Sequence, residues 1–170
     1  MQTSRKLILA IFAVAISGLL GASAEAQQTA KSGKYTGKFL GHGIPSAGQN
    51  YDLDKGHVFF IGPVHGVFLN DVADGLLDKT EVTCPVAEDI VNGVATALNG
   101  VCVMADKDGD KAFLVWRGKG VAAGSNAGTF EWVGGTGKFQ GLQGNNNWHG
   151  ADIGKTGAFT VVWEGDWRLP

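Results

Sequence analysis

The stretch that most constrains this chain is Gly134 to Gly144, GGTGKFQGLQG, where glycine recurs at almost every other position. Glycine is used where the backbone needs positive φ or where two strands approach closely. Strand-like sequence lies on both sides, with Gly128–Val133 before it and Asn147–Asp152 and Ala158–Trp167 after it. With Phe139 and Trp148 as aromatic anchors, the stretch predicts a tightly turned corner of a β-structure. Phosphate-binding readings fail on spacing. A P-loop needs G-x-x-x-x-G-K-[ST], but Gly137-Lys138 is followed by Phe139, and Trp132 stands where the first glycine belongs. A dinucleotide fingerprint begun at Gly135 and Gly137 would need a third glycine where Gln140 stands.

The rest of the chain reads as strands around that corner. Lys34–Gly41 alternates Tyr35, Gly37 and Phe39, the period of a half-buried strand. His42–Lys55 holds Gly, Pro, Ser and Asn and reads as a long loop. His57–Ile61 and Val64–Leu69 are apolar runs that Gly62-Pro63 is expected to separate by a bend or bulge. Asp71–Lys79 reads as an acidic turn, followed by a short strand at Thr80–Cys84. Val101–Ala105 and Ala112–Arg117 flank the turn Asp106–Asp110, and Ala127–Val133 leads into the glycine corner. Ala87–Leu98 has some helical character, but Asn92-Gly93 argues for a hairpin there. Short strands at regular spacing with glycine-rich turns predict an all-β fold, a single antiparallel barrel of about eight strands.

The last strand is the clearest. Phe159, Val161, Trp163, Gly165 and Trp167 share one face, and Thr160, Val162, Glu164 and Asp166 share the other. The first set is expected to face the interior. A barrel of this size either fills with side chains or holds one small ligand. The indoles of Trp132, Trp148, Trp163 and Trp167 are therefore candidate ligand-binding residues, and His65 and His149 are candidates for polar groups inside the same cavity.

Met1 to Ala26 reads as a signal peptide. It has a basic start at Arg5 and Lys6, an apolar run from Leu7 to Leu20, and the cleavage pattern Ala24-Glu25-Ala26. The run is shorter than the ~20 residues a spanning helix needs. The domain assignment is thus a leader, 1–26, and a barrel domain, 27–170, in a secreted or periplasmic protein. Gln27–Lys34 reads as a loose polar arm. Export would place Cys84 and Cys102 where disulfides persist. They flank the Asn92-Gly93 turn, one position out of a two-residue hairpin register. A three-residue turn or one bulge would bring them opposite each other as a disulfide, with Pro85 the expected cause of an irregularity.

Other chemistry is sparse. Asp106–Asp110 resembles a calcium loop but lacks the spacing of one, with Gly109 fourth and Arg117 twelfth. The four histidines His42, His57, His65 and His149 form no metal-ligand pattern, so no metal site is expected. No G-x-S-x-G elbow exists. Glu164 and Asp166 are read as a solvated face, Arg117 and Glu131 as a cross-strand ion pair, and Asn145–Asn147 as a polar turn. A formal net charge of −2 without a basic patch makes nucleic acid an unexpected partner. No catalytic constellation and no cofactor motif emerges.

From Cys102 to Trp167 the chain resembles the allene oxide cyclase-like barrel family. The likeness is carried by GGTGKFQGLQG, the preceding Gly128-Thr129-Phe130-Glu131-Trp132, and the closing Trp163-Glu164-Gly165. That family is similar in architecture to dirigent proteins and the wider lipocalin-like group. The resemblance implies an antiparallel barrel of about eight strands and transfers no catalytic residue. Three functional readings stay open: a binder of a hydrophobic or amphipathic small molecule, an isomerase or cyclase that confines a reactive substrate, and a structural or interaction protein with a packed barrel.

Overall fold

Inward-facing glycines and outsized rings alternate along one antiparallel sheet, which rolls shut. The computed structural model describes residues 30–122 and 124–170; the signal-peptide reading lies outside them. Nine strands follow one another: β1 (Ser32–Gly43), β2 (Gln49–Asp54), β3 (His57–Asn70), β4 (Thr80–Val91), β5 (Val94–Ala105), β6 (Lys111–Ala122), β7 (Ser125–Gly135), β8 (Gln143–Ile153) and β9 (Ala158–Arg168). Their order is β1-β9-β8-β7-β6-β5-β4-β3, and β1 pairs again with β3 to close an eight-stranded barrel. β2 is additional and pairs with the first part of β3. Closure removes the exposed edges an open sheet would present.

Several strands are longer than the sequence suggests. The expected loop at 42–55 contains β2, all of whose residues are exposed. Tyr51 and Leu53 alternate with Asn50, Asp52 and Asp54, but neither is buried, so the alternation marks an added strand rather than a face of the core. The expected polar arm ends early, because Ser32 to Lys34 already belong to β1. Gly62-Pro63 does not break the chain: β3 pairs with β4 in one unshifted register from His57↔Val91 to Phe68↔Thr80. Pro63 lies where β2 pairing stops at Ile61 and β1 pairing starts at Val64, so no ladder partner waits there for the N–H it lacks.

Cys84 and Cys102 form a disulfide. A bulge does bring them into register, but at Thr96 rather than at Pro85. Ile90 pairs with Ala95 and Asp89 with Ala97, leaving Thr96 extra. Its hydroxyl donates to Asp89 Oδ2 at 2.8 Å and to the Asp89 carbonyl at 3.1 Å, which anchors the bulge. Pro85 merely interrupts the ladder, which resumes in the same register on either side. Asn92 and Gly93 both have positive φ, 50° and 77°, as a tight two-residue hairpin turn requires.

The glycine corner is a single 3₁₀ turn, Gly137–Phe139, joining β7 to β8. It is fastened to the β5–β6 turn. The Lys138 ammonium pairs with Asp106 and Asp108, and Thr136 Oγ1 accepts from the Lys111 N–H at 2.9 Å. Asp106 Oδ1 also accepts from the backbone N–H groups of Asp108 and Asp110. The carboxylates of that turn are thus spent on the protein itself. Burial pushes the Asp106 carboxyl up, but Lys138 and the two N–H donors outweigh it and hold it below its usual range.

This corner lies at the closed end of the barrel, with the 71–79 and 106–110 turns. Leu77, Phe139 and Leu142 plug that end, 4%, 5% and 0% exposed. Above them Trp163 contacts Phe39, Phe68, Phe130 and Trp132 with centroids 5.1–6.4 Å apart. Such ring pairs contribute roughly 0.5–1.5 kcal/mol each beyond area burial. Glycines make the room: Gly37 beneath Phe68 and Gly41 beneath Phe159 on adjacent strands, and Gly118 beneath Trp148 two strands away.

Candidate ligand-binding site

The hairpin turns β4–β5, β6–β7 and β8–β9 lie at the opposite end from the glycine corner. Between these turns and the Trp163 layer the interior is not packed. A cavity of about 410 Å³ opens there, lined mainly by apolar side chains. Its floor is Trp163, Phe130, Leu114 and the Cys84–Cys102 bridge; Trp116 and Trp148 form one wall and Phe60 and Phe159 another part of it. The volume falls in the range of small-molecule sites. A fully packed barrel, one of the three readings, does not fit this interior.

Strand parity decides which residues reach the cavity. On β4, Val82, Cys84 and Val86 are buried, so Glu88 and Ile90 continue the same inward row. On β8, Trp148 leads inward to Gly150 and Asp152. The polar lining groups are Asn50, Glu88, Asn126, Asp152 and Thr160. In the barrel ring β4 and β8 stand on opposite sides, so the two carboxylates face one another across the mouth. Burial pushes the Glu88 carboxyl above its ordinary 4.5, and the charge of Asp152 pushes it the same way.

The six residues singled out from the sequence divide three ways. Trp148 and Trp163 line the cavity. Trp132 is buried below Trp163 at the closed end, and Trp167 packs over Gly33 near the termini. His65 and His149 fall on the outward parity of β3 and β8; His65 Nδ1 lies 3.1 Å from Thr83 Oγ1, and His149 is exposed. Glu164 and Asp166 are outward too. Glu88, Asp152, Asn50, Asn126 and Trp116 went unnoticed in the sequence. The signal for Glu88 was available: if Cys84 is buried in a disulfide, residues 86, 88 and 90 share its face.

Another polar group near the rim is structural. His57 Nε2 lies 2.6 Å from Asp89 Oδ1, and Asp89 also binds Thr96. The carboxylate sits between the imidazole and the hydroxyl, so the histidine has no nucleophile to activate, unlike the order a triad needs. These hydrogen bonds hold the Asp89 carboxyl below its usual range. Among the described residues no group of three or more His, Cys, Asp and Glu could hold a metal ion.

Glu88 makes a pH prediction. Its folded-state value is raised, so the ionised form costs stability, and that cost appears as pH rises from about 4.5 through the raised value. Glu88→Gln removes it. The variant is expected to melt higher than wild type at pH 7, the gap closing as pH falls below 4.5. A pH series of melting curves checks this, and a gap independent of pH would contradict the assignment.

No family model matches the chain, and no curated protein matches it in sequence. Two of the solved structures similar to it are dirigent proteins. One is the pterocarpan synthase dirigent protein GePTS1, at 14% identity and a TM-score of 0.48, covering 84% of this chain and 88% of that one. The other is the pterocarpan synthase dirigent protein PsPTS1, at 14% identity and a TM-score of 0.49, covering 80% of this chain and 95% of that one. The chain's own residues, an apolar cavity in a closed antiparallel barrel with a carboxylate on each side of its mouth, carry the reading of the site.

Proposed function

We propose that this protein is an exported β-barrel that binds a hydrophobic or amphipathic small molecule in its interior. One observation carries the reading: the interior holds an open-ended apolar cavity of about 410 Å³ whose walls are mostly aromatic and aliphatic. Burial of apolar surface would supply the affinity, at roughly 25 cal/mol per Å². Export rests on the leader read in residues 1–26, and the disulfide is compatible with an oxidising compartment. Among the described residues no helix is long and apolar enough to cross a membrane.

The test is binding of a neutral apolar dye, Nile red, followed by fluorescence. Wild type is expected to bind it, and Val64→Trp, which fills the cavity from β3, is expected to weaken binding by about tenfold or more. Circular dichroism verifies that the variant is folded. Absence of dye binding to wild type would overturn the reading.

A second reading, an isomerase acting on a confined substrate, is favoured by Glu88. A half-buried carboxyl with a raised proton affinity beside an apolar cavity suits general acid or base work. It predicts conversion of a bound substrate that Glu88→Gln abolishes while binding survives.

A further inference from the structure

The charge lining the cavity has one sign only, and its bearing on an occupant rests on the cavity being a ligand site. Among the described residues, Glu88 and Asp152 are its only ionisable lining residues, and no lysine, arginine or histidine lines it. On β3, beside the strand of Glu88, the His57 imidazole is engaged with Asp89 on the outer face. Each carboxylate has an aromatic neighbour across its ladder: Glu88 pairs with Phe60, and Asp152 with Phe159. All four residues line the cavity, with Trp116 and Trp148 beyond them.

We propose that the preferred occupant is a cationic amphiphile, with an amine or quaternary ammonium head between Glu88 and Asp152 and an apolar body against Trp163 and Phe130. Three physical effects converge on that choice. A cation offsets two carboxylates that otherwise repel across a partly dry mouth. The aromatic rings that line the cavity attract a cation through their quadrupoles. An anionic head would meet like charge, and a neutral head would leave both carboxylates without a counter-ion. The head group is thereby selected by the rim and the body by the interior.

The experiment compares three ligands that share one decyl chain, decyltrimethylammonium, decanol and decanoate, each below its micelle concentration. Affinity is read from tryptophan fluorescence and calorimetry at pH 7. For wild type the cation is expected to bind about tenfold more tightly than the alcohol, and decanoate most weakly. In the double variant Glu88→Gln, Asp152→Asn the ratio of cation to alcohol affinity is expected to fall to about unity. Should the double variant fail to fold, Glu88→Gln alone is expected to lower the ratio. If the alcohol binds wild type as well as the cation does, or decanoate binds best, the head-group assignment is wrong while the cavity remains a ligand site. If none of the three binds, the ligand-binding reading fails and the inference with it.

Discussion

Removing the Cys84–Cys102 bridge by alanine at both positions is expected to lower the unfolding free energy by about 3 kcal/mol, the chain-entropy cost of releasing a loop of this size. The bridge spans a separation of 18 residues and joins β4 to β5 in the middle of the wall. Its place matters as much as its loop. The β4–β5 ladder has no pairs at Cys84 and Pro85, where the proline lacks a donor, so the covalent bond stands where hydrogen bonds are missing. Both sulfurs are buried, 2% and 3% exposed by residue, and line the cavity floor. The alanine variant therefore also loses packed volume, a separate cost. Reduced wild-type protein keeps the sulfur atoms and loses only the cross-link, so denaturant curves of the oxidised, reduced and alanine forms separate the two effects. The slope against denaturant should rise when the cross-link goes, because the unfolded chain then exposes more surface. Stabilities of all three forms agreeing within about 0.5 kcal/mol would show that the bridge does not constrain the unfolded chain as the loop model requires.

Much of this barrel was legible in the sequence, for reasons that particular residues make plain. The inward row Phe159, Val161, Trp163 and Trp167 was readable because β9 has one buried face, and alternation is what a half-buried strand writes. The cysteine pair was readable because Asn92-Gly93 fixes a hairpin from which positions can be counted. β2 is written more faintly: Tyr51 and Leu53 alternate with Asp52 and Asp54, but the run follows the Gly, Pro, Ser and Asn of a loop-like stretch and buries nothing. The continuity of β3 was not readable, because whether Pro63 breaks a strand depends on the gap between β1 and β2, which no local pattern records. The lining of the cavity is harder to read than the fold. His65 and His149, the candidates for polar groups inside the cavity, fall on the outward parity of β3 and β8. Glu88 lies in the stretch where helical and hairpin signals compete, and its face is fixed only once Cys84 is known to point inward. A cavity is also a property of all the strands at once: the space above Trp163 exists because Gly150, Val161 and Val64 are smaller than the rings that fill the layer below.

Glycine at 128 is expected to be among the least replaceable residues of the chain: Gly128→Ala should cost about 3 kcal/mol or prevent folding, at the upper end of what an added methyl does in a packed interior. Gly128 on β7 pairs with Gly118 on β6 and with Trp148 on β8. A Cβ at 128 would overlap the carbonyl oxygen of Arg117 and lie 2.6 Å from Gly118 Cα, both backbone atoms with little freedom to yield. That carbonyl accepts the Trp148 Nε1–H at 3.2 Å, and the Trp148 ring lies over Gly118. Strand spacing, an indole's seat and its hydrogen bond are therefore set at one place. A displaced Trp148 would also reshape the cavity wall it lines. Gly43→Ala is the matched control. It too lies on a strand facing the cavity, but a Cβ there meets nothing nearer than the Gly157 carbonyl oxygen at 3.9 Å. Its backbone needs no positive φ, so alanine should be neutral to about 1 kcal/mol stabilising, by restricting the unfolded chain. Thermal melts of the two variants test the contrast, and tryptophan emission reports whether the indole has moved. Equal stability of the two would mean that room for a ring, and contact between strands, is not why glycine stands at 128.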